Sequence, residues 1–143
     1  MSELHTSHQG SYPLSMSQQN IWDVERACPD TSINLICTSL CIRGRVDLSS
    51  LQRSVCLVLE ADPSLRTRIF MDGQTPLQYQ APFLAEPIPV YDYSLTDEAG
   101  VLRWEDAFAR ETIPLLDSPL FRFAILRTGE RSCRLLVKTH HLI

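Results

Sequence analysis

The sequence predicts a mixed α/β fold, in which a mixed sheet of the α+β kind is flanked by helices. Segments with apolar residues at helical spacing alternate with segments rich in β-branched residues. Two pairs of these strands are separated by tight turns, and the 143 residues are enough to bury one core. The hairpins argue against a purely alternating, doubly wound parallel sheet.

The first helix is predicted to begin after Ser15. This serine can cap a helix, and Gln18 stands three residues later, as in a capping box. The sequence after Cys28 ends the helix. Residues 33–44 follow as a strand, and both of its faces are largely free of charge, so we expect it to lie in the centre of the sheet.

A second helix and a hairpin come next. Asp47 is the predicted N-cap of the helix, and Pro63 ends it. Residues 65–80 predict a hairpin around the Asp-Gly pair at 72–73, a pair typical of tight turns. A short extended piece follows at residues 87–93.

A third helix and a second hairpin close the chain. Ser94 or Thr96 is the predicted N-cap. One face of this helix is predicted to carry Val101, Trp104, Phe108 and Thr112. The last two strands are joined at residues 128–131, and residues 1–12 are predicted to be a flexible leader before the fold.

The composition excludes several classes of function. The net charge is −4 without a basic run, which argues against nucleic acid as a partner. No apolar run approaches the roughly 18 residues of a membrane span, and residues 1–20 lack the apolar stretch of a signal peptide. Five cysteines, an odd number, predict reduced thiols packed as small hydrophobic side chains in a cytoplasmic protein.

Two adjacent histidines, His140 and His141, stand at the end of the last strand. Neighbouring side chains of a strand point to opposite faces, so the pair is not expected to bind one metal ion. Either one histidine is structural and the other faces a site, or both are ordinary core or surface residues. A site-facing histidine can accept a proton near neutral pH. No metal and no directly bound cofactor is predicted.

Three sequence stretches resemble the condensation domains of nonribosomal peptide synthetases. The family's first motif, Ser-x-Ala-Gln-x-Arg-Leu-Trp, is matched through Ser15, Gln18 and Trp22, and the chain departs from it at Asn20. "ADPSLRTRIF" is similar to the second motif through Leu-Arg-Thr, which includes Arg66. Ala61 replaces an arginine of many members, as in starter condensation domains of siderophore synthetases.

The third motif, His-His-x-x-x-Asp-Gly, is matched by His140 and His141, and the chain ends one residue before the Asp-Gly pair. "SPLFRFAIL", which includes Arg122, is similar to the family's Pro-Leu-x-Arg strand. The resemblance implies that residues 13–143 form the N-terminal lobe of the domain, one of two lobes of the chloramphenicol-acetyltransferase type. It further implies that the chain stops inside the active-site motif.

The resemblance also implies an activity. The family joins a donor acyl thioester to the amine of an acceptor aminoacyl thioester. Both are held by 4'-phosphopantetheine on peptidyl or aryl carrier domains. His141 is then the catalytic residue, His140 and Arg66 support the fold, and Ser15, Gln18, Trp22 and Arg122 are motif or channel residues. An adenylation domain and a C-terminal lobe are the implied neighbours.

Alternatives remain open from the sequence. The same fold serves coenzyme A-dependent acyltransferases and epimerisation domains, whereas a heterocyclisation domain would replace His140 by aspartate. A non-catalytic fragment that only docks a carrier is a further alternative. The 143 residues alone are expected to be inactive, and self-association through an exposed face between the lobes is expected.

Overall fold

Residues 10–143, the part that the computed structural model describes, form seven β-strands and three α-helices. The strands are β1 (Tyr12–Pro13), β2 (Leu35–Arg43), β3 (Thr67–Asp72), β4 (Thr75–Gln80), β5 (Val90–Asp92), β6 (Phe121–Gly129) and β7 (Ser132–His140). The helices are α1 (Met16–Ala27), α2 (Leu48–Ala61) and α3 (Glu98–Arg110), and a 3₁₀ turn spans Pro63–Arg66. The predicted order of helices, strands and hairpins is confirmed.

The strands form two sheets. A four-stranded sheet has the order β2-β7-β6-β5, in which only the β5–β6 pair is parallel, and a three-stranded antiparallel sheet has the order β1-β4-β3. Helix α2 packs on one face of the larger sheet through Val55 and Leu59. Helix α3 packs on the other face through Val101 and Trp104. The predicted mixed α/β class with flanking helices is therefore confirmed.

Most predicted helix ends are confirmed because they depend on neighbouring residues. Asp47 accepts hydrogen bonds from two backbone N–H groups in the first turn of α2, and α2 ends at Ala61, two residues before Pro63. The β3–β4 hairpin turns at residues 73–74, where Gly73 has a φ of 60°. Glycine adopts such a backbone conformation without the strain that a Cβ atom would cause.

The position of β2 corrects the prediction. Among residues 10–143, this strand lies at the edge of its sheet and has β7 as its single partner. Ile36 and Leu40 remain about half exposed, at 47% and 49%. The absence of charge does not distinguish the two positions in a sheet. It occurs in a central strand that is covered on both faces and also in an edge strand with an uncovered apolar face.

The beginning of α3 also differs from the prediction. Asp97 caps this helix by accepting a hydrogen bond of 2.8 Å from the N–H of Gly100. Neither Ser94 nor Thr96 is the cap, because the Asp97 carboxylate stands next to the partly positive first turn, where a negative charge is stabilised. Thr112 lies beyond the last helical residue, Arg110.

Two smaller expectations change. Tyr12, the last residue of the predicted leader, pairs with Gln78 as part of β1, and residues 1–9 of that leader lie outside the described residues. All five cysteines are free, yet only Cys133 is fully buried, while Cys28 and Cys41 are exposed. The prediction that the cysteines pack as small hydrophobic side chains is therefore wrong for Cys28 and Cys41. None of the helices within residues 10–143 has the length and apolarity that crossing a bilayer demands.

Candidate active site around the two histidines

The two histidines lie in a turn that is fixed by backbone hydrogen bonds. Strand β7 ends at His140, whose N–H donates to the carbonyl of Leu120 at 2.8 Å. The N–H of His141 donates to the carbonyl of Asn34 at 2.9 Å, just before β2. The N–H of Ile143 returns to the carbonyl of His140 at 3.1 Å. The turn is thus held between the start of β6 and the start of β2.

His140 is buried and hydrogen-bonded through both nitrogens of its ring. Its side chain is 2% exposed, and its Nε2 lies 3.1 Å from Oε1 of Glu25. Its Nδ1 accepts a hydrogen bond of 3.2 Å from the N–H of Leu142. Because Nδ1 accepts, the ring proton must be on Nε2, and the imidazole is neutral. Burial lowers the pKa of His140 below its ordinary value, and the hydrogen bond to Glu25 offsets only part of that effect.

His141 points to solvent from the same turn. The side chains of the two histidines thus diverge, one into the interior and one to solvent, as expected for neighbours in a strand. An exposed imidazole has one nitrogen free to take a proton from an incoming amine, whereas His140 has both ring nitrogens engaged. His141 is therefore the histidine that can do acid–base chemistry here.

The first motif reaches this turn through Gln18. Ser15 and Gln18 form the predicted capping box: the N–H of Gln18 donates to Ser15 Oγ at 3.2 Å, and the N–H of Ser15 donates to Gln18 Oε1 at 2.8 Å. Nε2 of Gln18 then donates to the carbonyl of Leu142 and to Oε1 of Gln78, each at 2.9 Å. The cap of α1 thus places a side chain on the residue that follows His141.

Trp22 fills the space beneath the turn. It is 6% exposed and packs with the buried side chains of Ile69, Leu120 and Leu142. Within residues 10–143 no hydrogen-bond partner lies within reach of its Nε1. Trp22 and His140 also line an open cleft of about 450 Å³ between α1 and the segment 112–116. The tryptophan therefore supports the turn by packing rather than by a polar contact.

Two predicted site residues lie elsewhere. Arg66 donates from Nη1 to the carbonyls of Leu59, at 3.2 Å, and Glu60, and so closes the last turn of α2. Arg122 forms an ion pair of 2.5 Å with Glu111 after α3. Both arginines line a second, larger cleft of about 1020 Å³. Of the predicted residues, the structure thus gathers Ser15, Gln18, Trp22, His140 and His141 around one turn.

Glu25 and Asn34 contact this turn, although neither belongs to a motif found in the sequence. Glu25 is 8% exposed, and its Oε1 accepts from Nδ2 of Asn34 at 2.7 Å and faces His140. One sequence signal existed: Glu25 stands three residues after Trp22, on the inner face of α1, where an acid has to find a buried partner. Within residues 10–143 the structure shows no group of three histidine, cysteine or acidic side chains that could hold a metal ion.

Comparisons with known proteins give matches over nearly the whole chain. A family model described as "Condensation domain" matches residues 8–143. A linear gramicidin synthase protein of Brevibacillus parabrevis is 30% identical over 135 residues, which cover 92% of this chain and 2% of that protein. A plipastatin synthase protein of Bacillus subtilis (strain 168) is 25% identical over 135 residues, which cover 93% of this chain and 5% of that protein. The chain thus spans a few per cent of these relatives.

Solved structures share the fold. The starter condensation domain of rhizomide synthetase matches with a TM-score of 0.83 at 22% identity, over 92% of this chain and 32% of that one. The first condensation domain of the CDA synthetase matches with a TM-score of 0.79 at 20% identity, over 93% of this chain and 36% of that one. Because the family model covers nearly the whole sequence, the chain belongs to the condensation-domain family of nonribosomal peptide synthetases.

Proposed function

We propose that residues 13–143 are the N-terminal lobe of a condensation domain that forms an amide bond between two carrier-bound thioesters. The observation that supports this most directly is the turn after β7, which buries His140 and leaves His141 exposed. The amine nitrogen of the acceptor attacks the thioester carbon of the donor, and the C–S bond breaks. His141 takes the proton that the amine loses and passes it to the leaving thiolate, which departs as the thiol.

The expected size of the His141 effect follows from general magnitudes. General base catalysis contributes about 10²- to 10⁴-fold. Holding two reactants in the reactive geometry can contribute about 7–11 kcal/mol, which is a larger factor. A domain that brings two thioesters together therefore keeps part of its rate without His141.

The proposed partners are peptidyl or aryl carrier domains with their 4'-phosphopantetheine arms, the C-terminal lobe and an adjacent adenylation domain. A solved relative of the same fold, a mutant starter condensation domain of rhizomide synthetase, is in complex with C8-CoA. An acyl group on a pantetheine thiol is the chemistry that we propose for the donor. The finer proposal of a starter domain of the siderophore type rests on Ala61, where many members have an arginine.

Two further proposals concern the lobe by itself. The uncovered apolar side chains of β2, Ile36 and Leu40, lie in register with Thr139 and Leu135 of the strand that leads to His141. This surface supports contact with a second lobe, or self-association where that lobe is lacking. We expect residues 13–143 alone to be inactive, because one lobe cannot place two carriers, and we propose a cytoplasmic location.

The test uses a complete condensation domain that contains this chain, with donor and acceptor carriers loaded with their native groups. We expect His141→Ala to lower the rate of product formation about 10²- to 10⁴-fold. Glu130→Ala, an exposed residue in the turn at the other end of β7, is the matched control and should keep the wild-type rate. Unchanged product formation by His141→Ala would contradict the proposal, and carrier binding without any product in the wild type would favour a docking role instead.

A further inference from the structure

We propose that Glu25 and Asn34 are positioning residues for His141, which act by holding the turn after β7 in a single conformation. The catalytic part of this inference rests on the proposed function, whereas the part about the turn does not. Neither residue belongs to the motifs that led to His141. Glu25 is hydrogen-bonded to His140, and Asn34 is hydrogen-bonded to Glu25 and to the N–H of His141.

The first step runs through Glu25 and His140. One carboxylate oxygen, Oε1, faces two donors, Nδ2 of Asn34 at 2.7 Å and Nε2 of His140 at 3.1 Å. Glu25 is 8% exposed and His140 is 2% exposed, so both groups are largely shielded from water although they line the open cleft. The carboxylate therefore selects the tautomer of His140 that carries its proton on Nε2.

The second step runs from His140 to the backbone of the turn. With the proton on Nε2, Nδ1 is free to accept the N–H of Leu142, which lies at 3.2 Å. In the other tautomer an Nδ1–H group would face this N–H, and two donors would oppose each other in a buried place. The choice of tautomer by Glu25 thus decides whether the residue after His141 is hydrogen-bonded.

The third step runs through Asn34 to His141 itself. The side chain of Asn34 is tied to Glu25, while its backbone carbonyl accepts the N–H of His141 at 2.9 Å. Glu25 therefore acts on both sides of His141, through Asn34 on the His141 N–H and through His140 on the Leu142 N–H. Because the N–H groups of His141 and Leu142 are both hydrogen-bonded, the backbone that carries the His141 imidazole has a defined position.

The test combines a local structural readout with kinetics, in a complete condensation domain that contains this chain. Hydrogen–deuterium exchange followed by mass spectrometry reports on the amides of His141 and Leu142. We expect Glu25→Ala to speed their exchange about tenfold. We also expect a fall in kcat of up to about 10²-fold at unchanged KM for the carriers.

Two variants separate positioning from general damage. Glu25→Gln keeps a carbonyl oxygen that can accept from both donors, so it should restore slow exchange and most of kcat. Glu105→Ala is the matched control, because Glu105 is also shielded, at 13% side-chain exposure, and ion-paired, but with Arg134 under α3. It should leave the exchange of the His141 turn and kcat unchanged.

Asn34→Ala covers the case in which Glu25→Ala fails to fold. It removes only the amide that binds Glu25 and keeps the backbone carbonyl, so we expect a smaller change in the same direction. Unchanged exchange at His141 and Leu142 in both variants would overturn the inference, whatever the activity. Faster exchange with normal kcat, while His141→Ala is strongly slowed, would overturn the positioning role. A His141→Ala variant with the wild-type rate would instead count against the proposed function, and the exchange data would still decide the question of the turn.

Discussion

Lys138 and His140 occupy neighbouring positions on the same face of β7, and both are fully buried, at 0% and 2% exposure. Lys138 donates from Nζ to the carbonyls of Phe108 and Glu111 and so closes the end of α3. His140 binds Glu25 of α1 on one side and its own turn on the other. The hydrogen bonds of Lys138 reach the end of α3, whereas those of His140 reach the backbone of the turn that carries the exposed His141.

This contrast shows that burial of a polar residue does not by itself mark a functional site. Burial lowers the pKa of both side chains, with nearby acids partly opposing the effect. The two residues differ in what their hydrogen bonds reach, which is the end of α3 for Lys138 and the turn of His141 for His140. We expect changes near Lys138 to act on stability, and changes near His140 to act on the position of His141 as well.

The largest expected effect compares two leucines that are equally buried, at 1% exposure each. Leu142 packs with Trp22 beneath the histidine turn, and Leu136 packs with Val101 under α3. We expect each leucine-to-alanine change to lower the free energy of unfolding by about 3 kcal/mol, measured by urea unfolding, because each leaves a cavity. Only Leu142→Ala should speed amide exchange at His141, and equal exchange in both variants would contradict the contrast.

The second prediction concerns Lys138→Met. The change removes a buried cation and the hydrogen bonds that Nζ donates to Phe108 and Glu111, so two carbonyls lose a partner. We expect a loss of about 2 kcal/mol in the free energy of unfolding, because unsatisfied groups cost more than the desolvation that is relieved. Arg103→Met, an exposed cation of α3, is the control and should change stability by less than about 0.5 kcal/mol. A more stable Lys138→Met would contradict this interpretation.

The sequence predicted those parts of the fold that depend on neighbouring residues. Ser15 with Gln18, Asp47 and the Asp-Gly turn each act within a few positions, and all three are confirmed. The separation of His140 from His141 also followed from local geometry, because adjacent side chains of a strand diverge. At α3 the local rules predicted the wrong capping residue and extended the apolar face to Thr112, which lies beyond the end of the helix.

The remaining features depend on long-range pairing. Glu25 meets His140 across 115 positions of the chain, and no local pattern links the two. The edge position of β2 follows from its pairing with β7, roughly a hundred residues later. Arg66 and Arg122 lie in stretches that resemble motifs of the same family, yet the structure places them in a cleft away from the histidine turn. Spacing along the sequence therefore could not show that these two arginines lie apart from the histidine turn.

The third prediction uses the lowered pKa of His140. The unfolded chain binds a proton at this residue below its ordinary pKa of about 6.5, while the folded chain resists it because the ring is buried. The contribution of His140 to the free energy of unfolding is therefore complete above about pH 6.5. As the pH falls below this value the contribution is lost, by at most about 1.4 kcal/mol per pH unit. Urea unfolding between about pH 7.5 and 5.5 should show a steeper loss in the wild type than in His140→Gln. Equal slopes would mean that His140 is protonated alike in both states.

The smallest effect is expected at Arg122, which stands opposite Lys138 in the register of β6 and β7. Its ion pair with Glu111 is partly exposed, at 38% and 54%, so solvent screens it. We expect Arg122→Ala to cost less than about 1 kcal/mol in urea unfolding, with Arg127→Ala as the control, because Arg127 forms a similarly exposed ion pair with Asp92. A small loss of stability with normal product formation would place Arg122 with Lys138 at the end of α3. A large loss of product formation at the same stability would show that its cleft of about 1020 Å³ belongs to the substrate channel, and that the two regions of the molecule share the reaction.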